Sequence, residues 1–114
     1  MDVVSPKTAE YYTWGDGCDG WHLMRNDGLS VIEERMPPGA SEILHFHHHS
    51  RQFFYVLSGE LSLQVDGSLR VLKSGQGIEI APGAKHKVSN ETASDVCFLV
   101  ISSPPSHGDR VNAA

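Results

Sequence analysis

Cysteine is scarce in this 114-residue chain: only Cys18 and Cys97 are present, far apart and neither in a C-x-x-C pair. That usage supplies neither a thiolate metal knuckle nor a dithiol redox motif, and each cysteine is expected to be a reduced, small hydrophobe. Positive charge is also in short supply, with nine Lys and Arg against fourteen Asp and Glu, a net charge of −5 and a pI near 5.7. Such a chain offers no basic stripe to nucleic acid or to an anionic membrane surface. Long apolar runs are missing, and Met1 to Thr8 has no basic start leading into an apolar stretch. Membrane insertion and export are therefore disfavoured, and a cytoplasmic location is expected. No G-x-S-x-G elbow occurs, and Gly15, Gly17 and Gly20 miss the G-x-G-x-x-G spacing of a phosphate-binding loop. Internal repeats and helical periodicity are absent too. The length suits one core, so residues 1–114 are read as a single domain, with a barrel core at about 29–101, an N-terminal extension over 1–20 and a tail over 102–114.

What the chain does have is a succession of short β-forming runs separated by turn residues. Trp21 to Arg25 and Leu29 to Met36 flank Asn26-Asp27-Gly28, a strong hairpin signal, and Glu60 to Val65 and Leu69 to Leu72 flank Asp66-Gly67. Ordered structure is expected to begin near Trp21. Pro37-Pro38-Gly39 stops the second strand, because proline cannot donate to a ladder. Phe53 to Leu57 is wholly apolar and reads as a strand covered on both faces. Ile78 to Ile80, His86 to Val88 and a buried final strand Val96 to Ile101 complete the series, and the tail from Ser102 has little to bury. Many short strands with regular turn signals predict an all-β fold, an antiparallel sandwich or small barrel.

The stretch from Gly39 to Gly59 carries the chemistry. It holds His45, His47, His48 and His49 just ahead of the apolar run. In an extended strand His45 and His47 point to one face and Phe46 to the other, which makes half of a metal site. Gln52 starts the next strand, and His86 follows a glycine turn that brings a later strand across. His45, His47, Gln52 and His86 are thus the residues expected to share one divalent ion, with Zn, Ni, Fe, Co or Mn all compatible. His48 and His49 are expected in an exposed loop, and His22 and His107 on the surface. By alternation from Gln52, Phe54 and Val56 face the same cavity, and Phe98 adds to its apolar wall. Arg35 and Arg51 are placed near the mouth, where a guanidinium would orient an anionic substrate, and Glu33 is a general base only if its side faces inward.

These spacings resemble those of the cupin superfamily. Gly39, His45, His47, Gln52 and Gly59 match the first cupin motif, G-x5-H-x-H-x4-E-x6-G, and Gly75, Gly83, His86 and Asn90 match the second, G-x5-P-x-G-x2-H-x3-N. The resemblance implies a double-stranded β-helix, or jelly roll, with a bound metal and a small-molecule ligand. It also implies a homodimer, with the edge near Trp21 and the N-terminal segment as its interface. The sequence departs from the pattern at Gln52, where glutamate is usual, and at Ala81, where proline is usual. A neutral glutamine leaves the full +2 charge on a bound ion and strengthens it as a Lewis acid. Cupins of the pectin-degradation type resemble this one in that glutamine, but Val96 to Ile101 has no carboxylate to match their acidic catalytic residue. The reading that results is a metal-dependent enzyme on a small polar or carbohydrate-derived molecule, of isomerase or lyase type. Its alternatives are an iron(II) dioxygenase and a non-catalytic module that senses or binds a small ligand.

Overall fold

The structure is a computed structural model in which residues 1–113 are described. Eleven strands follow one another: β1 (Glu10–Trp14), β2 (Cys18–Arg25), β3 (Ser30–Met36), β4 (His45–His47), β5 (Arg51–Ser58), β6 (Glu60–Val65), β7 (Ser68–Lys73), β8 (Gly77–Ile80), β9 (His86–Ser89), β10 (Val96–Ser103) and β11 (Arg110–Asn112). They form a six-stranded sheet in the order β1-β2-β3-β10-β5-β8 and a five-stranded sheet in the order β11-β4-β9-β6-β7. Every pairing is antiparallel. The fold is all-β, as the turn spacing predicts, and both anticipated hairpins form, with Asp66 and Gly67 at φ 46° and 83° in the second. Two consecutive left-handed residues match the strand twist, which is why Asp-Gly serves there.

Cross-strand partners share a face, so the register of the larger sheet sorts its inward side chains into rows. Trp14 pairs with Cys18 and Met36 with Val96, and a full row runs Tyr12–Gly20–Glu34–Phe98–Val56. The next two are His22–Ile32–Val100–Phe54 and Ser30–Ser102–Gln52–Ile80. Met36, Val56, Val96 and Phe98 from these rows pack with Leu61, Leu63 and Val88 of the smaller sheet. That end is therefore a solid core, each large side chain contributing about 1.5–3 kcal/mol on burial. Toward the other rows the side chains become polar and the sheets enclose a cavity.

Four expectations are corrected. Order begins at Glu10 rather than near Trp21, because Glu10-Tyr-Tyr-Thr-Trp14 is rich in β-forming aromatics and pairs along all of its length with β2. The 102–114 tail is not idle, since Arg110–Asn112 adds β11 to the edge beside β4. Val96 to Ile101 is consequently not the last strand, and it lies in the middle of its sheet. Phe53 to Leu57 is covered on one face only, with Phe53 39% and Leu57 40% exposed, while Phe54 and Val56 are buried. Cys18 and Cys97 are both free.

Gly59 joins β5 to β6 at φ +81°, and a Cβ there would sit 2.5 Å from the Asp95 carbonyl oxygen and 3.0 Å from Val96 Cα. Gly67 has a similar φ of +83° but open space around it. Replacing Gly59 by alanine is expected to destabilise the fold by about 2–4 kcal/mol, and Gly67 by only about 1–2 kcal/mol, the left-handed strain alone. Urea unfolding of the two variants measures the difference.

Candidate metal centre

The three-residue strand β4 presents His45 and His47 inward, 4% and 5% exposed, and turns Phe46 outward. His86, 1% exposed, opens β9 directly opposite His45 in the register. The imidazole centroids are 5.2 Å apart for His45 and His47, 4.4 Å for His45 and His86, and 5.6 Å for His47 and His86. One ring nitrogen from each lies within 4.8 Å of the others.

What faces the middle of this triangle is set from behind each ring. Nδ1 of His45 donates to the Ile43 carbonyl at 2.8 Å, Nδ1 of His86 to the Ala84 carbonyl at 2.9 Å, and Nδ1 of His47 to the Asp109 carbonyl at 3.0 Å. A carbonyl oxygen only accepts, so each Nδ1 carries the proton and each Nε2 presents a lone pair. Nε2 of His47 is buried with no hydrogen-bond partner. Nε2 of His86 lies 3.1 Å from Oε1 of Gln52, whose amide nitrogen donates to the Ser102 hydroxyl at 3.1 Å. Two acceptors at that distance repel unless a positive centre lies between them. Burial pushes all three imidazoles below their usual pKa, His45 to about 3, and the Ile43 and Ala84 carbonyls only partly oppose this for His45 and His86. The rings are therefore neutral at pH 7 and able to ligate. Three imidazole nitrogens and an amide oxygen are a donor set that fits a borderline divalent ion.

The sequence from residue 32 to 102 matches the model of the cupin domain. The chain belongs to the cupin family. An uncharacterized protein of Methanocaldococcus jannaschii is 33% identical over 81 residues, 70% of this chain and 65% of that protein. Among solved structures, the polyketide cyclase RemF of Streptomyces resistomycificus superposes with a TM-score of 0.87 at 20% identity, over 100% of this chain and 86% of its own. An RmlC-like cupin of Shewanella frigidimarina gives 0.83 at 25% identity, over 95% of both chains. This cupin spans between 38% and 65% of the length of the first curated relatives it matches.

His45, His47 and Gln52 open onto a cavity of about 540 Å³ between the sheets. Its apolar wall comes from Ile32, Phe54, Val88 and Val100, and its polar wall from Tyr12, Glu34, Glu42 and Arg110. Phe98 and Val56, placed in the pocket by alternation, face inward but are fully buried in the solid core and do not line it. The two arginines placed at the mouth are elsewhere. Arg35 has outward parity on β3 and is held on the outer face by Asp19 and, at 3.3 Å, by Asp95. Arg51 pairs with Glu79 at 2.8 Å on the exposed outer face of the sheet. The same parity takes Glu33 outward and brings Glu34 in. His22 and His107, read as surface residues, both line the cavity, whereas His48 and His49 are exposed. No periodicity marked Glu42, which precedes β4 outside any strand. Its carboxylate accepts from the Val88 amide at 3.0 Å and sits 3.9 Å from Nδ1 of His45, and burial raises its pKa to about 7.

The least expected contributor is the C-terminal segment. Besides the Asp109 carbonyl that fixes His47, the Asp109 carboxylate accepts from the backbone amides of His48, His49 and Ser50 at 3.0, 2.9 and 2.8 Å. It thereby ties down the loop between the two ligand-bearing strands. Asp109→Ala is expected to weaken zinc or cobalt binding about 10- to 100-fold, the usual scale for a residue that orients a ligand. His49→Ala, which keeps the backbone amide, leaves affinity unchanged. Competition against a chromophoric chelator measures both.

Proposed function

We propose that this cupin is a metal-dependent enzyme acting on a small polar or carbohydrate-derived molecule by isomerase or lyase chemistry. His45, His47, His86 and Gln52 hold one divalent ion in that reading. The observation that carries it is the clustering of three buried histidines with ring nitrogens within 4.8 Å of one another, the Gln52 Oε1 lying 3.1 Å from Nε2 of His86 and Nε2 of His47 having no hydrogen-bond partner. Bound there by neutral ligands, an ion keeps its full +2 charge and supplies Lewis-acid polarisation of a substrate oxygen. The chain's own residues do the rest. Phe54, Val88 and Val100 keep one side of the cavity dry, which strengthens every polar contact inside it. Arg110, 3.8 Å from Glu42, gives a cation beside the histidines for an anionic substrate group. The structural likeness to a polyketide cyclase accords with an enzyme on this scaffold.

Elemental analysis of protein purified without a histidine tag is expected to give one equivalent of a divalent metal, lost in His47→Ala and His86→Ala. Melting temperatures of those variants near that of the metal-free wild type indicate a functional site, and a collapsed fold indicates a structural one. An iron-loaded sample that consumes oxygen on a metabolite panel would move the assignment to a dioxygenase. The homodimer of this proposal uses the open edge at β1, the outermost strand of the larger sheet, since Trp21 lies one strand further in. Sedimentation is expected to show a dimer at micromolar concentration, and a pure monomer removes that interface.

A further inference from the structure

Row by row, the inward side of the larger sheet contains one arrangement that packing does not explain. Tyr12 of β1, Gly20 of β2 and Glu34 of β3 are directly opposite one another across three strands. A side chain at the middle position would separate the outer two. Because residue 20 is glycine, the Tyr12 ring lies flat over it, and its hydroxyl donates to Oε2 of Glu34 at 2.8 Å. A Cβ on Gly20 would clash with the phenol end of the ring, 2.1 Å from Cζ and 2.5 Å from both Cε1 and the hydroxyl oxygen. His22, two residues along β2, packs beside that ring with centroids 4.9 Å apart. The pair lines the same cavity as His45 and His47 but from the opposite sheet.

We propose that Glu34, addressed by Tyr12 across Gly20, is the proton-transfer residue of this cavity, acting on an enolisable carbonyl compound held at the histidine cluster. The proposal rests on the metal-dependent reading above and supplies the acid–base group that reading lacked. Ionised Glu34 takes the proton from the carbon next to the carbonyl. The C–H electron pair becomes a C=C bond as the carbonyl π pair moves onto oxygen. Protonated Glu34 then returns the proton to a carbon or oxygen of the same molecule, so no oxidant or reductant is consumed. The surroundings suit a group that must do both. Burial raises the Glu34 pKa to about 8, with Glu42 pushing the same way, while the Tyr12 hydroxyl and Arg110 favour the ionised form. A carboxyl that titrates close to neutral pH is a stronger base than an ordinary one and is still partly ionised.

Zinc-loaded protein in deuterium oxide, followed by proton NMR, tests this with two probes, anionic 2-oxobutanoate and neutral dihydroxyacetone. Wild type is expected to exchange the α-protons of at least one. Glu34→Gln, which keeps the Tyr12 hydrogen bond, should slow exchange at least 100-fold at unchanged zinc content. Tyr12→Phe and Gly20→Ala should both shift the midpoint of the pH–rate profile upward, since each removes the donor that favours ionised Glu34. A carboxyl-carbon titration of the metal-free protein gives a reading independent of turnover: a Glu34 midpoint near 8 that rises further in Tyr12→Phe supports the assignment. A midpoint in the ordinary carboxylate range overturns it. So does undiminished exchange in Glu34→Gln, or a wild type with a full zinc equivalent that exchanges neither probe. A wild type that binds no zinc instead sinks the metal reading and leaves Glu34 to be judged by its titration.

Discussion

Three imidazoles buried side by side are tolerable only if every ring is neutral and every Nδ1 proton has somewhere to go. Protonating one would place a cation in a site walled by protein, and freeing one Nδ1 would leave a buried donor without a partner at a cost of about 1–3 kcal/mol. The structure meets that constraint with backbone. Ile43 and Ala84 each lie two residues before the histidine they serve, so the local chain path supplies two of the three carbonyls. The third comes from Asp109, 62 residues beyond His47. The residue just before β11 is thus tied to the third ring, and its carboxylate ties down the loop after β4.

The same economy of parity governs the opposite sheet. Shifting the register of β3 by one residue would carry Glu34 to the outer face and Glu33 to the inner one. The interruption of pairing between His22 and Met24 has this effect in miniature, since it restores Arg25 to the inner face after His22. Trp14, Cys18, Met36 and Val96 are apolar throughout, whereas the rows that carry Glu34, His22 and Gln52 mix polar with apolar groups, and the cavity lies along those. Gln52 and Ser102 illustrate the point: they are cross-strand partners, and the amide of one is oriented by the hydroxyl of the other.

Much of this was legible in the sequence, and the reasons differ by element. Both hairpins announced themselves through Asp-Gly, a pair favoured in tight turns, although only Asp66-Gly67 takes up left-handed backbone. His45, His47, Gln52 and His86 stood out because their chain spacing mirrors their spatial role. Arg35 is not at the mouth, and Glu33, a base only if its side faced inward, faces outward; the parity of β3 is set by its partners, and no alternation in Ser-Val-Ile-Glu-Glu-Arg-Met distinguishes Glu33 from Glu34. Asp109 was invisible for a different reason: its effect on His47 runs through a backbone carbonyl, which every residue type possesses. Glu10 to Trp14 did carry a readable signal, an aromatic-rich run, masked by the glycine-rich turn that follows it.

The segment that defines the family, residues 32–102, excludes β1, β2 and β11. Tyr12 and Gly20 come from β1 and β2 and the clasp on His47 from Asp109, just before β11, so groups outside the family segment orient groups within it. Only the last of these reaches across a long stretch of chain: β1, β2 and β3 follow one another through short turns, whereas Asp109 reaches back 62 residues to His47. Closing so long a loop costs entropy that its contacts must offset. Fixing the third imidazole therefore carries a conformational cost that the first two, served by carbonyls two residues away, do not.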